Sequence, residues 1–372
     1  MYCRHCGKNI YDGSKFCQFC GGNQGPDAPT KAAAPSSSAS YSDLSDLDAL
    51  FSTEVEKQSR QKADEAAMFE IRNGVLVKFH MPAEPVADIT IPPEVTVIGE
   101  KAFERVSGLE NVYVAGNLRR IEKEAFSVSR IKYFQMPSTV TYIGPSAFHM
   151  TNIESICIPY GVTRIEDHAF SYCTHLETVV MPNSITYIGN FAFNYCTALT
   201  YIDIPSGVTY IGENAFRECK KLEYLMLPER LCEIGVCAFY ETGIRTLVIH
   251  DKVTKIPGYL CWGCKQLLLV EIGNGVKTIG GYAFADCPEL MSVRVGSSLE
   301  EIETRAFECF DSTVYSFSLE LPASLNSLGS HILQGRPLAR LSITYGGSEA
   351  KWKRILGDNF ICPPALIICN GI

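Results

Sequence analysis

The sequence predicts a β-rich solenoid of short parallel strands and short helical turns, preceded by a small cysteine-rich module. Three observations carry this. An isoleucine returns ten times, at Ile98, Ile121, Ile143, Ile165, Ile188, Ile211, Ile234, Ile256, Ile279 and Ile302, every 22 or 23 residues, and in all but one unit a phenylalanine follows five positions later. A fixed period in this range is one coil of a solenoid per repeat. Inside each unit, apolar and polar residues alternate between proline and glycine stops. Finally, four cysteines crowd into the first twenty-one residues.

Those cysteines form two pairs, Cys3-x-x-Cys6 and Cys17-x-x-Cys20. Each Cys-x-x-Cys turn offers two thiolates to one tetrahedral ion, and two such turns close a four-sulfur shell. Gly7 and Gly21 follow the pairs and leave backbone amides free to approach the sulfurs. With four thiolates the shell is full, so the expected Zn2+ is structural rather than catalytic. A segment this short has no core of its own and needs such a staple. His5 lies between the pairs and reads as solvent-facing; Arg4, Lys8 and Lys15 read as solubility charges rather than a nucleic-acid patch. The spacing, the Phe16-Cys17 step and the Gly13 turn resemble the short zinc ribbons of many bacterial proteins. The ribbon is assigned to residues 1–21.

Residues 22–68 form a linker. Its first part is rich in Gly, Pro, Ala and Ser and lacks the apolar surface to order itself. In its second part Leu44, Leu47, Leu50, Phe51 and Val55 fall at helical spacing among acids, with Ser42 or Asp43 placed as a cap. This predicts an acidic helix that leads into the solenoid or a partly disordered arm, or else a short partner-binding helix.

Residues 69–372 are the solenoid. In the unit from Phe193 to Phe216, Leu199, Ile202 and Ile204 occupy the apolar slots of a short strand, with Asp203 pointing outward between the last two. Pro205 stops that strand because it has no N–H to donate. Val208 to Ile211 makes a second strand, ended by Gly212, and Ala215-Phe216 begins a tight helical turn. Ten coils at about 4.8 Å each give a rod roughly 50 Å long.

The slots resemble the leucine-rich repeats of the bacterial surface antigen (BspA) type, in which a pattern similar to Leu-x-x-Ile-x-Leu-Pro-x-x-Val-x-x-Ile-Gly-x-x-Ala-Phe-x-x-Cys recurs. The resemblance covers about residues 71–372. It implies that Phe69 to Leu76 opens the domain, that Leu328 to Leu333 is a degenerate eleventh unit after an insertion within Asp311 to Glu320, and that Ile343 to Ile355 with the strand Ala365 to Cys369 closes it.

Register also sorts the remaining cysteines. Cys173, Cys196, Cys219, Cys264 and Cys287 sit three residues past the Phe slot, so they read as one column of buried thiols. Cys261-Trp-Gly-Cys264 has redox spacing, but Cys261 fills the Phe slot and Cys264 the column, so it reads as core. Alternation puts Cys157 on the exposed strand face.

The same alternation yields a candidate binding surface. The outward positions of the first strand form two columns, Tyr113 through Asp203 to Arg294 and Asn111 through Tyr201 to Ser292. Their tyrosines and apolar residues mark a protein-binding face, for which Tyr113, Tyr133, Tyr201, Asp203, Tyr224, Met226, Glu271 and Arg294 are the candidate contacts. A further column of Arg120, Tyr142, Arg164, Tyr187 and Tyr210 is either a second patch or cross-strand packing.

Function classes follow by elimination. A net charge of −8 gives no general attraction to phosphate backbones, and nucleic acid is not an expected partner. None of the seven histidines sits in a nucleophile or zinc-protease motif, there is no phosphate loop, and no enzyme activity is expected. No apolar stretch is long enough to span a membrane and no charged-then-apolar leader is visible, so a cytoplasmic location is expected. Sixteen cysteines without such a leader favour metal binding and buried thiols over disulfides. The expectation is a non-enzymatic bacterial interaction scaffold; the alternatives are a nucleic-acid-associated protein acting through the ribbon, or a surface adhesin.

Overall fold

The computed structural model describes residues 67–311, 316–336 and 341–356, together with the backbone of 367–371. The ribbon cysteines and the linker up to Ala66 lie outside the described residues. What is described is a stack of coils, each contributing three backbone segments to three rows that run the length of the stack.

The first row is built from the Leu-x-x-Ile-x-Leu slots. It includes Asp88–Ile91, Asn111–Val114, Tyr133–Phe134, Ser155–Cys157, Thr178–Val180, Tyr201–Ile202, Thr246–Ile249, Leu269–Ile272 and Ser292–Arg294. Neighbours pair in parallel at a fixed offset of one repeat, as in Ser155 with Thr178 and Thr178 with Tyr201. The second row carries the repeat isoleucines in two-residue strands such as Arg164–Ile165, Tyr187–Ile188 and Tyr210–Ile211, again parallel and in register. Inward residues of both rows are buried and outward ones are not, as period-2 geometry requires.

The third row corrects an expectation. The Ala-Phe segments are not helical turns. Alternate amides of each segment donate to the next coil: Lys101 to the Lys123 carbonyl at 3.2 Å, Phe103 to Ala125 at 2.7 Å, Arg105 to Ser127 at 2.9 Å. The amides between them bond back three residues, Ala102 to Gly99 and Glu104 to Lys101. A helix would spend every amide inside its own segment. Left-handed backbone at two positions four apart, Lys101 (φ 60°) and Arg105 (φ 58°), turns alternate peptides along the stack instead. The device recurs at Ser146 and Met150, at His168 and Tyr172, and at Phe191 and Tyr195. A left-handed non-glycine residue costs roughly 1–2 kcal/mol, so the ladder of inter-coil bonds and the packing beneath it must offset a repeated local penalty.

That packing is a column of phenylalanines. Phe126, Phe148, Phe170, Phe193 and Phe216 are fully buried, with ring centroids 5.3–5.5 Å apart and planes within 11°. Alanine beside each ring leaves room for the coils to approach. One coil reverses the order: Leu260 stands in the alanine slot and Cys261 in the phenylalanine slot, both fully buried. The large side chain has moved one residue so that the small one can replace the ring.

Both ends are covered, as a solenoid's must be. The hairpin Phe69–Arg72/Val75–Phe79 pairs antiparallel and stacks Phe79 on Phe103 at 5.0 Å. At the other end the degenerate eleventh unit is present, with Ser327–Leu328 in the second row and Phe317–Leu321 in the first. Beyond it the strand Leu341–Ser348 leads into the one α-helix assigned among the described residues that exceeds a single turn, Glu349–Leu356, which buries Trp352 against Tyr345 at 5.0 Å. The last strand is Ile367–Gly371, two residues later than Ala365 to Cys369.

Arg336 closes the thiol column. It occupies the cysteine slot of the last coil, is 4% exposed, and donates from Nε to the Phe307 carbonyl at 2.8 Å. Its other nitrogens reach the Leu290 and Cys287 carbonyls, and its guanidinium lies 4.2 Å from the Phe317 ring. Burial lowers its pKa.

Candidate functional site: the outward strand face

All eight sequence-predicted contact residues lie on the outward face of the first row, in three groups. Tyr113 and Tyr133 neighbour each other with rings 5.8 Å apart. Tyr201 and Tyr224 are register partners, with Asp203 and Met226 two residues along. Glu271 and Arg294 are register partners joined by an ion pair of 3.3 Å. Eight coil steps separate Tyr113 from Arg294, about 38 Å at 4.8 Å per step. The residues therefore form a band rather than a single pocket.

The middle group is the most exposed. Tyr201 keeps 57% of its surface in solvent, Tyr224 63% and Met226 83%. Tyr133 and Glu271 are half-buried. Among the described residues no ring contact joins Tyr201 to Tyr224. Cys157, expected on the exposed face, is also only half-buried.

Beside the last group lies a cleft of about 620 Å³ lined by Val248, His250, Asp251, Glu271 and Arg294. Nε2 of His250 sits 3.0 Å from the Leu227 carbonyl, and Asp251 Oδ1 accepts the Asn274 amide at 2.6 Å. His250 and Asp251 were not among the predicted contacts. They follow the strand's last apolar slot, a position outside the two columns that alternation singles out.

The Arg/Tyr column of the second row resolves as cross-strand packing. Arg120 lies over Tyr142 at 4.1 Å and Arg164 over Tyr187 at 3.6 Å, while Tyr187 stacks on Tyr210 at 4.6 Å. Burial raises the Tyr142 and Tyr210 hydroxyl pKa values.

The third row carries an aromatic surface that strand alternation does not reveal. His168 stacks on Phe191 at 4.7 Å, Tyr172 on Tyr195 at 4.7 Å, Tyr240 on Trp262 at 4.8 Å and Tyr259 on Tyr282 at 4.9 Å. The signal is present in the repeat: these residues fill the slots directly before Ala and one or two after Phe. His149 meets Tyr172 edge-on at 5.8 Å, and burial, then the neighbouring His168, lowers its pKa.

The cysteine column is core, as register predicts. Cys173 donates to the Phe148 carbonyl at 3.0 Å, Cys196 to Phe170 at 3.2 Å, Cys219 to Phe193 at 3.2 Å and Cys264 to Phe239 at 3.1 Å. Burial lifts the Cys173 thiol to about 11 and pushes Cys196, Cys219 and Cys261 up as well. Cys264 runs the other way: burial would raise it, but hydrogen bonds with Cys261 and Thr242 lower its pKa. Cys261 and Cys264 are nevertheless fully buried and lack the access that redox chemistry requires. Among the described residues no group of three His, Cys, Asp or Glu side chains could hold a metal ion, and no helix is long and apolar enough to cross a membrane.

Comparison with known families places the repeats. The BspA type leucine rich repeat region matches residues 79–200 and 186–310, which is more than half of the chain. The chain belongs to the BspA-type leucine-rich repeat family. A leucine-rich repeat protein from Bacteroides ovatus ATCC 8483 is similar at 26% identity and a TM-score of 0.53, over 77% of this chain and 87% of that one. A leucine rich cell surface protein from Faecalibacterium prausnitzii A2-165 is 20% identical with a TM-score of 0.44, over 79% and 96%. The pneumococcal vaccine antigen PcpA is 18% identical with a TM-score of 0.43, over 82% and 96%. Curated proteins give no significant match. The family fixes a solenoid suited to protein interaction.

Proposed function

We propose that this BspA-type protein is a non-enzymatic scaffold that binds a protein partner on its outward strand face. The observation that carries the reading is the exposure of Tyr201, Tyr224 and Met226 in adjacent coils. Two surfaces of the stack are aromatic, but they use their rings differently. On the turn face the rings stack on one another, and Tyr172 is exposed only to 40%. Those contacts support the strained turns. On the strand face Tyr113 and Tyr133 meet at 5.8 Å, but Tyr201 and Tyr224 make no ring contact, and their exposed apolar patch with polar tips and a nearby Asp203 has the composition of an interaction hot spot.

Alanine at Tyr201, Tyr224 and Met226 together should abolish capture of the partner that the full chain retrieves from its native cells, with the melting temperature unchanged. Alanine at Tyr172 and Tyr195 should instead lower the melting temperature and leave capture intact. An unchanged dissociation constant in the first variant would assign the partner to another face.

The second module of the reading is the ribbon. Cys3, Cys6, Cys17 and Cys20 lie outside the described residues, but four thiolates in two Cys-x-x-Cys pairs suit one tetrahedral Zn2+. Bound there, the ion would supply folding energy rather than chemistry. Metal analysis of the full chain should find one zinc, lost on Cys17→Ser/Cys20→Ser. A cytoplasmic location completes the reading. It is supported by thiols that serve as hydrogen-bond donors throughout the core, and cell fractionation tests it against a surface location.

A further inference from the structure

The amino-terminal hairpin does not close its end of the solenoid flush. Between the hairpin and the first coils lies a groove of about 780 Å³. Its apolar lining includes Met68, Ile71, Ile89, Pro92, Pro93 and Tyr113. Met68 and Ile71 pack on the core yet remain only partly buried. The charges in the groove are Asp88 and Glu94, both acidic, and no base lines it. Asp88 accepts a hydrogen bond from Asn111 Nδ2 at 2.6 Å. Among the described residues neither acid forms an ion pair.

Met68, the last residue of the linker, lines the groove, so the chain preceding the solenoid reaches it here. Two features of that chain match. Leu44, Leu47, Leu50, Phe51 and Val55 share one face at helical spacing. Between that stretch and the groove stand Lys57, Arg60 and Lys62, with no acid among residues 57–62, flanked by Glu56 before and by Asp64 and Glu65 after. The order is apolar, then basic, then the pair Asp64-Glu65, then groove.

We propose that residues 44–62 fold back on their own solenoid and fill this groove. The apolar face covers Met68, Ile71 and the Pro92-Pro93 shelf, and the three bases meet Asp88 and Glu94. The thirteen steps from Val55 to Met68 reach about 43 Å when extended, ample for a reversal. The inference stands apart from the partner-binding reading, since it rests on the groove and the linker alone. It bears on it in one respect. Tyr113 lines the groove and is also the first position of the strand face, so a docked linker covers that end of the face and holds the ribbon beside it.

Hydrogen exchange on the full chain tests the proposal. Amides of residues 44–55 should exchange at least roughly tenfold more slowly than in Leu47→Asp/Leu50→Asp/Phe51→Asp, whose substitutions lie outside the solenoid. Asp88→Lys/Glu94→Lys should release the segment, and adding Lys57→Glu/Arg60→Glu/Lys62→Glu should restore its protection. Glu94→Lys alone, at an exposed side chain, serves should the double change perturb the hairpin. Equal exchange in the wild type and the triple-aspartate variant overturns the proposal, as does protection that survives reversal of the groove charges. Protection that disappears on dilution assigns the occupant to a second copy and overturns the intrachain contact.

Discussion

At single residues the stack shows which penalties it accepts. Val128 sits at φ 60° although its side chain is β-branched and 38% exposed. Nothing in its environment demands valine, so Val128→Asn should raise the unfolding free energy by about 1 kcal/mol, read from urea titrations. The column thiols make a second case. The buried Cys173 thiol titrates at about 11, against roughly 8.5 in the unfolded chain. A raised folded value means that the protonated form stabilises the fold. Its contribution is therefore complete below pH 8.5 and is lost as pH climbs toward 11, amounting to about 3 kcal/mol for this one group. Urea titrations at pH 8 and pH 10.5 should show that loss. Cys173→Ser should reduce it by about that share while the other raised thiols keep theirs, since the hydroxyl of Thr151 at the equivalent slot already donates to its own Phe148 carbonyl at 2.9 Å.

At the level of elements, strands were legible in the sequence and turns were not. A strand announces itself twice, by alternation and by the Pro or Gly that ends it, so Ile202 and Ile204 lie inward and Asp203 outward, as alternation assigns them. Ala215-Phe216 offers no such check. Its residues suit a helix by propensity, and only the neighbouring coil, which accepts the Phe193 amide on the Ala215 carbonyl at 2.8 Å, decides for a ladder. The stacked aromatics of the turn face were missed for the same reason: their slots acquire a common direction only once the turn geometry is known. The coil of Leu260 and Cys261 tests the packing rule of this element. Cys261→Phe alone adds a ring where Leu260 already fills the space, and should cost roughly 1–3 kcal/mol through overpacking. Leu260→Ala alone should cost about 2–5 kcal/mol through the cavity it leaves. Together they recreate the Ala-Phe pair of the neighbouring coils, so the double variant should recover most of both losses. Additive losses would show that this coil has a geometry of its own.

Across the whole molecule, stability is close to a sum over coils and their interfaces, because most contacts join neighbouring coils and those that skip one, such as Arg336 to Cys287 and Lys255 to Glu303, are few among the described residues. Fold and function should then be separable by removing one coil in register. Deleting residues 190–212 joins Gly189 to Glu213 and restores the Ile-Gly-x-x-Ala-Phe pattern across the junction. The product should remain folded and shorter by about 4.8 Å, visible in small-angle scattering, and should unfold at somewhat lower denaturant. Deleting 190–209 instead breaks the register of all three ladders, and that chain should not fold. The in-register deletion also removes Tyr201 and Asp203 while keeping Tyr224 and Met226. If the strand face binds through the group in the middle of the band, this folded variant should lose most of its affinity for the partner. Deleting one coil outside the band's middle, residues 281–303, removes Arg294 but keeps that group and should cost far less. Equal losses from the two deletions would mean that the partner reads the length of the band rather than its tyrosines.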